Sequence, residues 1–212
     1  MFKSFFRQAQ TPGKIIFFAV RAALLAAVLY ALRASVFSGG KIELKSLCYF
    51  TIQSNLLVAA SLALSLLPFD SGAKTKLAGF ALPAITLTCL VYNLALYQIW
   101  RDFGGAGYSL ARTITHVVSP LGFIFVWAAF EKHGSFRWKD VFIWAAYPLA
   151  YGAVSAAVSL KYGASLYFFT DPAKGARGLL KWLGLLAAGV MLICLIFIAV
   201  DKKLSKSGKK RA

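Results

Sequence analysis

The residues of this chain that could do chemistry are few, and most of the acids lie away from the apolar stretches. The 212 residues include two histidines and seven carboxylates. The carboxylates all fall in predicted loops or at the ends of apolar stretches: Glu43, Asp70, Asp102, Glu131, Asp140, Asp171 and Asp201. This placement excludes a paired-carboxylate acid–base site in the apolar interior. It also argues against a proton path lined by carboxylates.

The same inventory argues against a metal site. His116 and His133 are 17 residues apart, or roughly 25 Å along a helix, whereas a zinc site needs three or four ligands around one point. The cysteines, Cys48, Cys89 and Cys194, fall within apolar stretches and show no CxxC spacing. We expect them to be small apolar residues in helix packing, and we expect no metal and no cofactor.

A threonine and a histidine remain as the chemical pair of interest. Thr51 lies about five residues inside the second apolar stretch, or ~8 Å, and His116 lies about six residues inside the fourth, or ~9 Å. Both stretches start on the same predicted side of a membrane, so the two side chains should lie at one depth. Asn55 shares a helix face with Thr51, and the third stretch brings Asn93 and Tyr97 to the same side.

Structural explanations exist for each of these polar residues. Pro120 has no N–H and clashes with the carbonyl four residues back, so the carbonyl of His116 should lose its helical partner at a kink. His116 could then be a hydrogen-bonded structural residue. The hydroxyl of Thr51 could bond to its own helix, and the side-chain amides could serve helix packing.

The apolar composition of the chain indicates that membrane helices position Thr51, His116 and the other polar residues. The chain is 59% apolar and 15% charged, against about 45–50% and about 25% for soluble domains. We therefore predict an all-α integral membrane protein, a six-transmembrane-helix bundle forming one domain over 1–212. A span needs roughly 20 apolar residues, and the predicted spans are about 14–36, 46–67, 77–100, 110–130, 139–160 and 178–200.

The lopsided charge predicts the orientation of the bundle. The net charge is +17. One side carries 14 Lys and Arg and the other 8, and the difference depends on a basic tail over 201–212. Both termini are therefore predicted to be cytoplasmic, in the cytoplasmic membrane of a bacterium or the endoplasmic reticulum of a eukaryote. The basic residues should face the lipid bilayer, not nucleic acid. The mid-span Arg21 should snorkel to the cytoplasmic face or pair with a carbonyl freed by Pro148.

Four segments resemble a known family: Tyr49–Leu56, Thr115–Leu121, Ala146–Tyr151 and Tyr167–Pro172. They look like a bacterial family of small six-span membrane proteins that is similar to the eukaryotic androgen-induced-gene-1-like proteins, over about residues 15–200. Those eukaryotic relatives are intramembrane hydrolases that cleave fatty acid esters of hydroxy fatty acids with a threonine and a histidine. The resemblance implies that Thr51 is the nucleophile and His116 its partner.

The resulting hypothesis is a lipid ester hydrolase acting on a membrane lipid or fatty-acyl substrate. His116 would act as the base for Thr51. A base needs a group that orients its other nitrogen, which could be an amide, a backbone carbonyl, Asp102 or Asp171.

Further side chains are candidates for supporting roles in that hydrolase. The candidate oxyanion or orienting groups are Asn55, Asn93 and Gln53. Arg112 could hold a fatty-acid carboxylate or anchor at lipid headgroups.

Two other functions use the same polar layer without catalysis. The first is a transporter or binding protein for small molecules or lipids, which would need a path open alternately to both sides. The second is a structural membrane protein, in which Thr51 and its neighbours only hold helices together. Replacing Thr51 would then lower stability without silencing any reaction.

Overall fold

The computed structural model describes residues 12–68, 72–97, 109–163 and 165–209. Its helices are α1 (Pro12–Val36), α2 (Phe50–Ser65), α3 (Gly72–Val91, continued by a π-helical turn over Tyr92–Leu96), α4 (Leu110–Phe130), α5 (Asp140–Tyr162) and α6 (Gly175–Lys209). A short hairpin of β1 (Phe37–Ser38) and β2 (Lys41–Ile42) follows α1. Short 3₁₀ turns cover Leu44–Cys48, Phe168–Thr170 and Pro172–Lys174.

Five of these helices are long and apolar enough to cross a membrane. The remaining one, α2, is apolar but has only 16 residues. These helices confirm the all-α class and are compatible with an integral membrane protein. The count of six spans and the side of the termini stay predictions.

The helix boundaries differ from the predicted spans at several places, one of which is the start of α3 at Gly72 instead of near residue 77. The second stretch was expected to be helical from residue 46, but Leu44–Cys48 is a 3₁₀ turn and α2 starts at Phe50. Cys48 therefore lies exposed on that turn and not within a span, which corrects its predicted placement. The last helix, α6, does not stop near residue 200. It continues to Lys209, so that most of the predicted basic tail is helical.

The chain divides into two compact units, Met1–Lys132 and His133–Ala212. In the first unit α2 packs against α1 and α3, and α4 packs against α1 and α3. Side chains from all four helices form its core, as the length and apolar character of the helices require. The most deeply buried of them include Val28, Val58, Leu62, Leu82, Ile85 and Val126.

Arg21 in α1 does not behave as predicted. It is 2% exposed, so it neither snorkels out nor uses a carbonyl freed by Pro148. Its guanidinium donates to Glu131 Oε1 at 2.5 Å and to the carbonyl of Ser65 at 3.4 Å. It also lies over the ring of Phe17, 3.6 Å from the centroid. An isolated buried cation would be costly, and Glu131 at the end of α4 supplies the opposite charge.

In the second unit α5 packs against α6. Its core contains Trp144, Ala156, Val190, Cys194 and Ile198. The helix α5 is followed by Gly163, which has a φ of +69° and donates its N–H to the carbonyl of Ser159, so it caps the last turn. The apolar faces of both helices are otherwise widely exposed, as expected for helices surrounded by lipid.

Candidate functional site

Thr51 lies in the first turn of α2. Tyr49 is extended and α2 begins at Phe50, so Thr51 is the second helical residue. The side chain of Gln53 donates to the carbonyl of Leu47 at 3.0 Å and ties this first turn to the preceding 3₁₀ turn. Thr51 therefore lies at the N-terminal end of α2, where the main-chain N–H groups have no acceptor within the helix.

Two main-chain carbonyls of α4 lose their helical partners because of Pro120. The turn before this proline, Ile114–Val118, is π-helical, and the N–H of Ser119 bonds to the carbonyl of Ile114. Pro120 has no N–H to donate. The carbonyls of Thr115 and His116 are thus left for partners outside α4.

Two asparagines from neighbouring helices supply those partners. Asn55 Nδ2 donates to the carbonyl of Thr115 at 3.1 Å, and Asn93 Nδ2 donates to the carbonyl of His116 at 3.1 Å. The same amides also bond within their own helices, Asn55 to the carbonyl of Thr51 and Asn93 to that of Cys89, both at 2.8 Å. The asparagines thereby fix the main chain on both sides of the Thr51–His116 contact.

Another π-helical turn, in α3, contacts the one in α4. It covers Tyr92–Leu96 of α3, and the ring of Tyr92 stacks on the ring of His116 with centroids 3.7 Å apart. Tyr92 is 6% exposed. Turns of this kind are rare and often occur at functional sites. One of these turns carries His116 and the other carries the ring that stacks on it, so the two turns together fix the position and the plane of the imidazole.

The side chains of Thr51 and His116 meet. Oγ1 of Thr51 lies 3.3 Å from Nε2 of His116. The other ring nitrogen, Nδ1, lies 3.0 Å from the carbonyl oxygen of Arg112 and 3.0 Å from Oγ1 of Thr115. A carbonyl oxygen only accepts, so Nδ1 carries the ring proton and Nε2 presents its lone pair to the Thr51 hydroxyl.

This arrangement contains a hydroxyl, a base and a group that orients the base. The orienting group is the main-chain carbonyl of Arg112, one of the options left open by the sequence. Asp171 is engaged elsewhere, because its Oδ1 accepts from the N–H of Ala173 at 2.9 Å. Asp102 lies outside the described residues.

The structure gives the contacts of the other predicted site residues, whose roles in a reaction stay predictions. Asn55 and Asn93 direct their amide N–H groups at main-chain carbonyls, so in this geometry they position the site instead of facing an oxyanion. The side-chain amide of Gln53 donates to the carbonyl of Leu47. Arg112 contributes its carbonyl to His116, while its N–H is capped by Ser109 Oγ at 3.2 Å.

Three features of the site were missed at the level of sequence: the Arg112 carbonyl, the Thr115 hydroxyl and the Tyr92 ring. The spacing offered some signal for two of them. Arg112 is four residues before His116, where a helical side chain can reach back to a carbonyl. Tyr92 precedes Asn93, already placed at the same depth. Comparison with family models, with curated proteins and with solved structures found no match to this chain.

Proposed function

We propose that this protein is an intramembrane hydrolase of lipid esters, with Thr51 as nucleophile and His116 as general base. The observation that carries the proposal is the 3.3 Å approach of Thr51 Oγ1 to Nε2 of a histidine whose Nδ1 is held by the Arg112 carbonyl. A hydroxyl becomes a useful nucleophile when an oriented base can take its proton. The family resemblance of the sequence points to fatty acid esters of hydroxy fatty acids as the substrate class.

The first half of the reaction makes an acyl-enzyme. The Thr51 hydroxyl gives its proton to Nε2 of His116 while Oγ1 forms a bond to the ester carbonyl carbon. The tetrahedral intermediate collapses by breaking the bond to the alkoxy oxygen, and the imidazolium returns the proton to this leaving group. The products of this half are an alcohol and an acyl-threonine.

The second half consumes water. His116 takes a proton from a water molecule, whose oxygen attacks the acyl carbonyl carbon. The bond to Thr51 Oγ1 breaks, the hydroxyl recovers its proton, and a fatty acid leaves. We assign the oxyanion of both intermediates to the main-chain N–H of Thr51, because first-turn N–H groups point outward at a positive helix end. The side-chain amides of Asn55 and Asn93 are occupied by carbonyls.

The surroundings of Thr51 favour a substrate drawn from the edge of the bilayer. The segment between α1 and α2 is not α-helical. Five of its large apolar side chains have exposed fractions between 39% and 71%: Phe37, Ile42, Leu44, Leu47 and Tyr49. Irregular backbone is not stable in contact with lipid tails, so this segment belongs at the interface. Thr51 follows two residues later, within reach of both acyl chains and water.

The proposal includes the topology. We propose six spans, of which the second is the 16-residue α2, so that Thr51 and His116 lie on the side opposite both termini. The Lys and Arg count then puts the termini in the cytoplasm. We propose the bacterial cytoplasmic membrane as the location, or the endoplasmic reticulum if the source is a eukaryote.

Turnover by the purified protein tests the proposal. Branched fatty acid esters of hydroxy fatty acids are incubated with the wild type and with Thr51→Ala and His116→Ala in detergent micelles, and released fatty acid is measured. Both variants are expected to lose activity by at least about a thousandfold, since nucleophile and base act as one unit. Unchanged turnover in both would overturn the assignment.

A matched threonine separates chemistry from folding. Thr113 also lies near the start of α4, and its hydroxyl donates to the carbonyl of Ser109 at 3.1 Å. Thr113→Ala should keep its activity. Thermal unfolding in detergent should show a melting temperature for Thr51→Ala close to that of the wild type. A purely structural role for Thr51 would instead lower that temperature and leave the residual activity per folded molecule unchanged.

A further inference from the structure

A buried carboxylate in α6 holds the loop that precedes α5. Asp201 is 1% exposed. Its Oδ2 accepts from the main-chain N–H of Gly134 at 2.9 Å and of Phe136 at 3.0 Å. Its Oδ1 lies 3.3 Å from Nδ1 of His133. Three contacts to one carboxylate fix the segment 133–136 on the last turns of α6.

Further contacts extend this attachment. Gly134 has a φ of +96°, and a Cβ atom there would lie 2.6 Å from Oγ of Ser205, so glycine allows the loop to lie directly against α6. The ring of Trp138 lies 5.7 Å from Nζ of Lys202. The loop and the end of α6 thus form one continuous surface within the second unit.

Four cations lie on this surface. These cations, which we call the basic cluster, are Arg137, Lys139, Lys202 and Lys206. The carboxylate of Asp201 accepts from main-chain N–H groups, and Asp140 Oδ2 accepts from the N–H of Arg137 at 2.8 Å. All four cations except the half-buried Lys202 are exposed. The cations of the cluster outnumber these two carboxylates, so the surface can attract an external anion.

The position of the basic cluster indicates what kind of anion it meets. The helix α6 has 35 residues, or ~52 Å, and a bilayer core is only about 30 Å thick, so one end must emerge from the lipid. Trp138 is 55% exposed beside the cluster, as is typical of tryptophan at headgroup depth. Farther back on α6, Leu192 and Ile196 are 59% and 51% exposed, a surface suited to acyl chains.

We propose that the basic cluster binds the phosphate headgroup of an anionic phospholipid. Arg137 can engage phosphate oxygens in a bidentate manner, the lysines add charge, and the lipid tails lie along the apolar face of α6. This site is separate from the Thr51–His116 pair and does not depend on the proposed reaction. The carboxylate of Asp201 holds the loop against α6 and so keeps the loop cations close to the lysines of that helix.

Native mass spectrometry of the full-length protein in a mild detergent tests the site. Phosphatidylglycerol and phosphatidylcholine are titrated separately, and bound lipid is counted. The triple variant Arg137→Gln/Lys202→Gln/Lys206→Gln should bind phosphatidylglycerol roughly a hundredfold more weakly, since each cation near a membrane surface contributes about fivefold. A control variant with the same loss of charge, Lys41→Gln/Lys74→Gln/Lys161→Gln, should bind like the wild type.

Asp201→Ala distinguishes a built site from general attraction. The substitution makes the protein more positive, so general attraction predicts tighter binding. The proposal predicts weaker binding, because alanine has no oxygen to accept from the N–H groups of Gly134 and Phe136 and the loop cations move away. Circular dichroism and the melting temperature check the fold of this variant, and the triple variant tests the site if Asp201→Ala does not fold.

Several outcomes would overturn the proposal. Equal phosphatidylglycerol binding by the triple and control variants would remove the basic cluster from the site. Equal affinity for phosphatidylcholine would remove the anion requirement. Displacement of the lipid by millimolar inorganic phosphate would indicate a soluble phosphate site, and displacement by single-stranded RNA would indicate nucleic-acid binding.

Discussion

Asn93 donates a hydrogen bond of 3.1 Å to the carbonyl oxygen of His116 across two helices. The carbonyl is available because Pro120, four residues later, has no N–H. A side chain of α3 therefore supplies the hydrogen bond that the carbonyl loses within α4. The carbonyl belongs to His116, the residue whose ring approaches Thr51. The position of His116 is determined by its own main chain as much as by its ring contacts.

Asn93→Leu should lower the free energy of unfolding by about 1–3 kcal/mol, because it leaves the His116 carbonyl without a partner in an apolar setting. Thermal unfolding in detergent measures this change. Its neighbour Leu94 is 75% exposed, so Leu94→Ala is the control and should shift stability by no more than about 0.5 kcal/mol. Equal effects of the two substitutions would mean that the Asn93 bond contributes nothing.

Pro120→Ala should separate stability from activity. An alanine restores an N–H that can bond to the His116 carbonyl, so α4 can close into a regular helix and His116 moves away from Thr51. Stability should be unchanged or higher, while ester hydrolysis should fall roughly a hundredfold, as expected for a displacement of about 1 Å. Pro83→Ala, in the interior of α3, is the control and should stay active. Full activity of Pro120→Ala would show that the π-helical turn does not position the base.

Thr115→Val tests which group orients the imidazole. The valine has nearly the same shape but no hydroxyl, while the Arg112 carbonyl still accepts from Nδ1. The loss of one of two partners should lower kcat by only about fivefold, corresponding to about 1 kcal/mol. A loss as large as that of His116→Ala would transfer the orienting role from the carbonyl to the hydroxyl.

The ion pair of Arg21 and Glu131 should show strong coupling. Glu131→Gln leaves a cation that is 2% exposed without its counter-charge, and the expected cost is about 3 kcal/mol. The double variant Arg21→Met/Glu131→Gln removes both charges and should be more stable than Glu131→Gln alone. Thermal or denaturant unfolding of the wild type, of Arg21→Met, of Glu131→Gln and of the double variant gives the coupling energy. Additive effects would contradict the pairing.

Several parts of the site follow from the sequence for identifiable physical reasons. Counting residues inward from the ends of the apolar stretches placed Thr51 and His116 at one depth, although α2 begins only at Phe50 and Thr51 lies in its first turn. The missing N–H of Pro120 predicted a carbonyl in need of a partner. The residues Asn55 and Asn93 were placed in the same layer by their four-residue spacing from Thr51 and Tyr97, although their bonds go to carbonyls.

Other parts could not be predicted because they depend on partners far along the chain or on the main chain. Glu131 lies 110 residues from Arg21, and no local pattern connects them. Asp201 was placed at the end of a span, and only the fold shows that its carboxylate is covered by the loop at Gly134. The Arg112 carbonyl is a main-chain group that every residue has, so its four-residue spacing from His116 could not single it out among the possible orienting groups.

The most direct test of the central claim is to locate a covalent label. The purified protein is treated with a long-chain fluorophosphonate, digested, and analysed by tandem mass spectrometry. We predict a single adduct on the hydroxyl of Thr51, absent in Thr51→Ala and strongly reduced in His116→Ala, with normal labelling of Thr113→Ala. An adduct on another residue that persists in Thr51→Ala would contradict the assignment of Thr51 as the nucleophile.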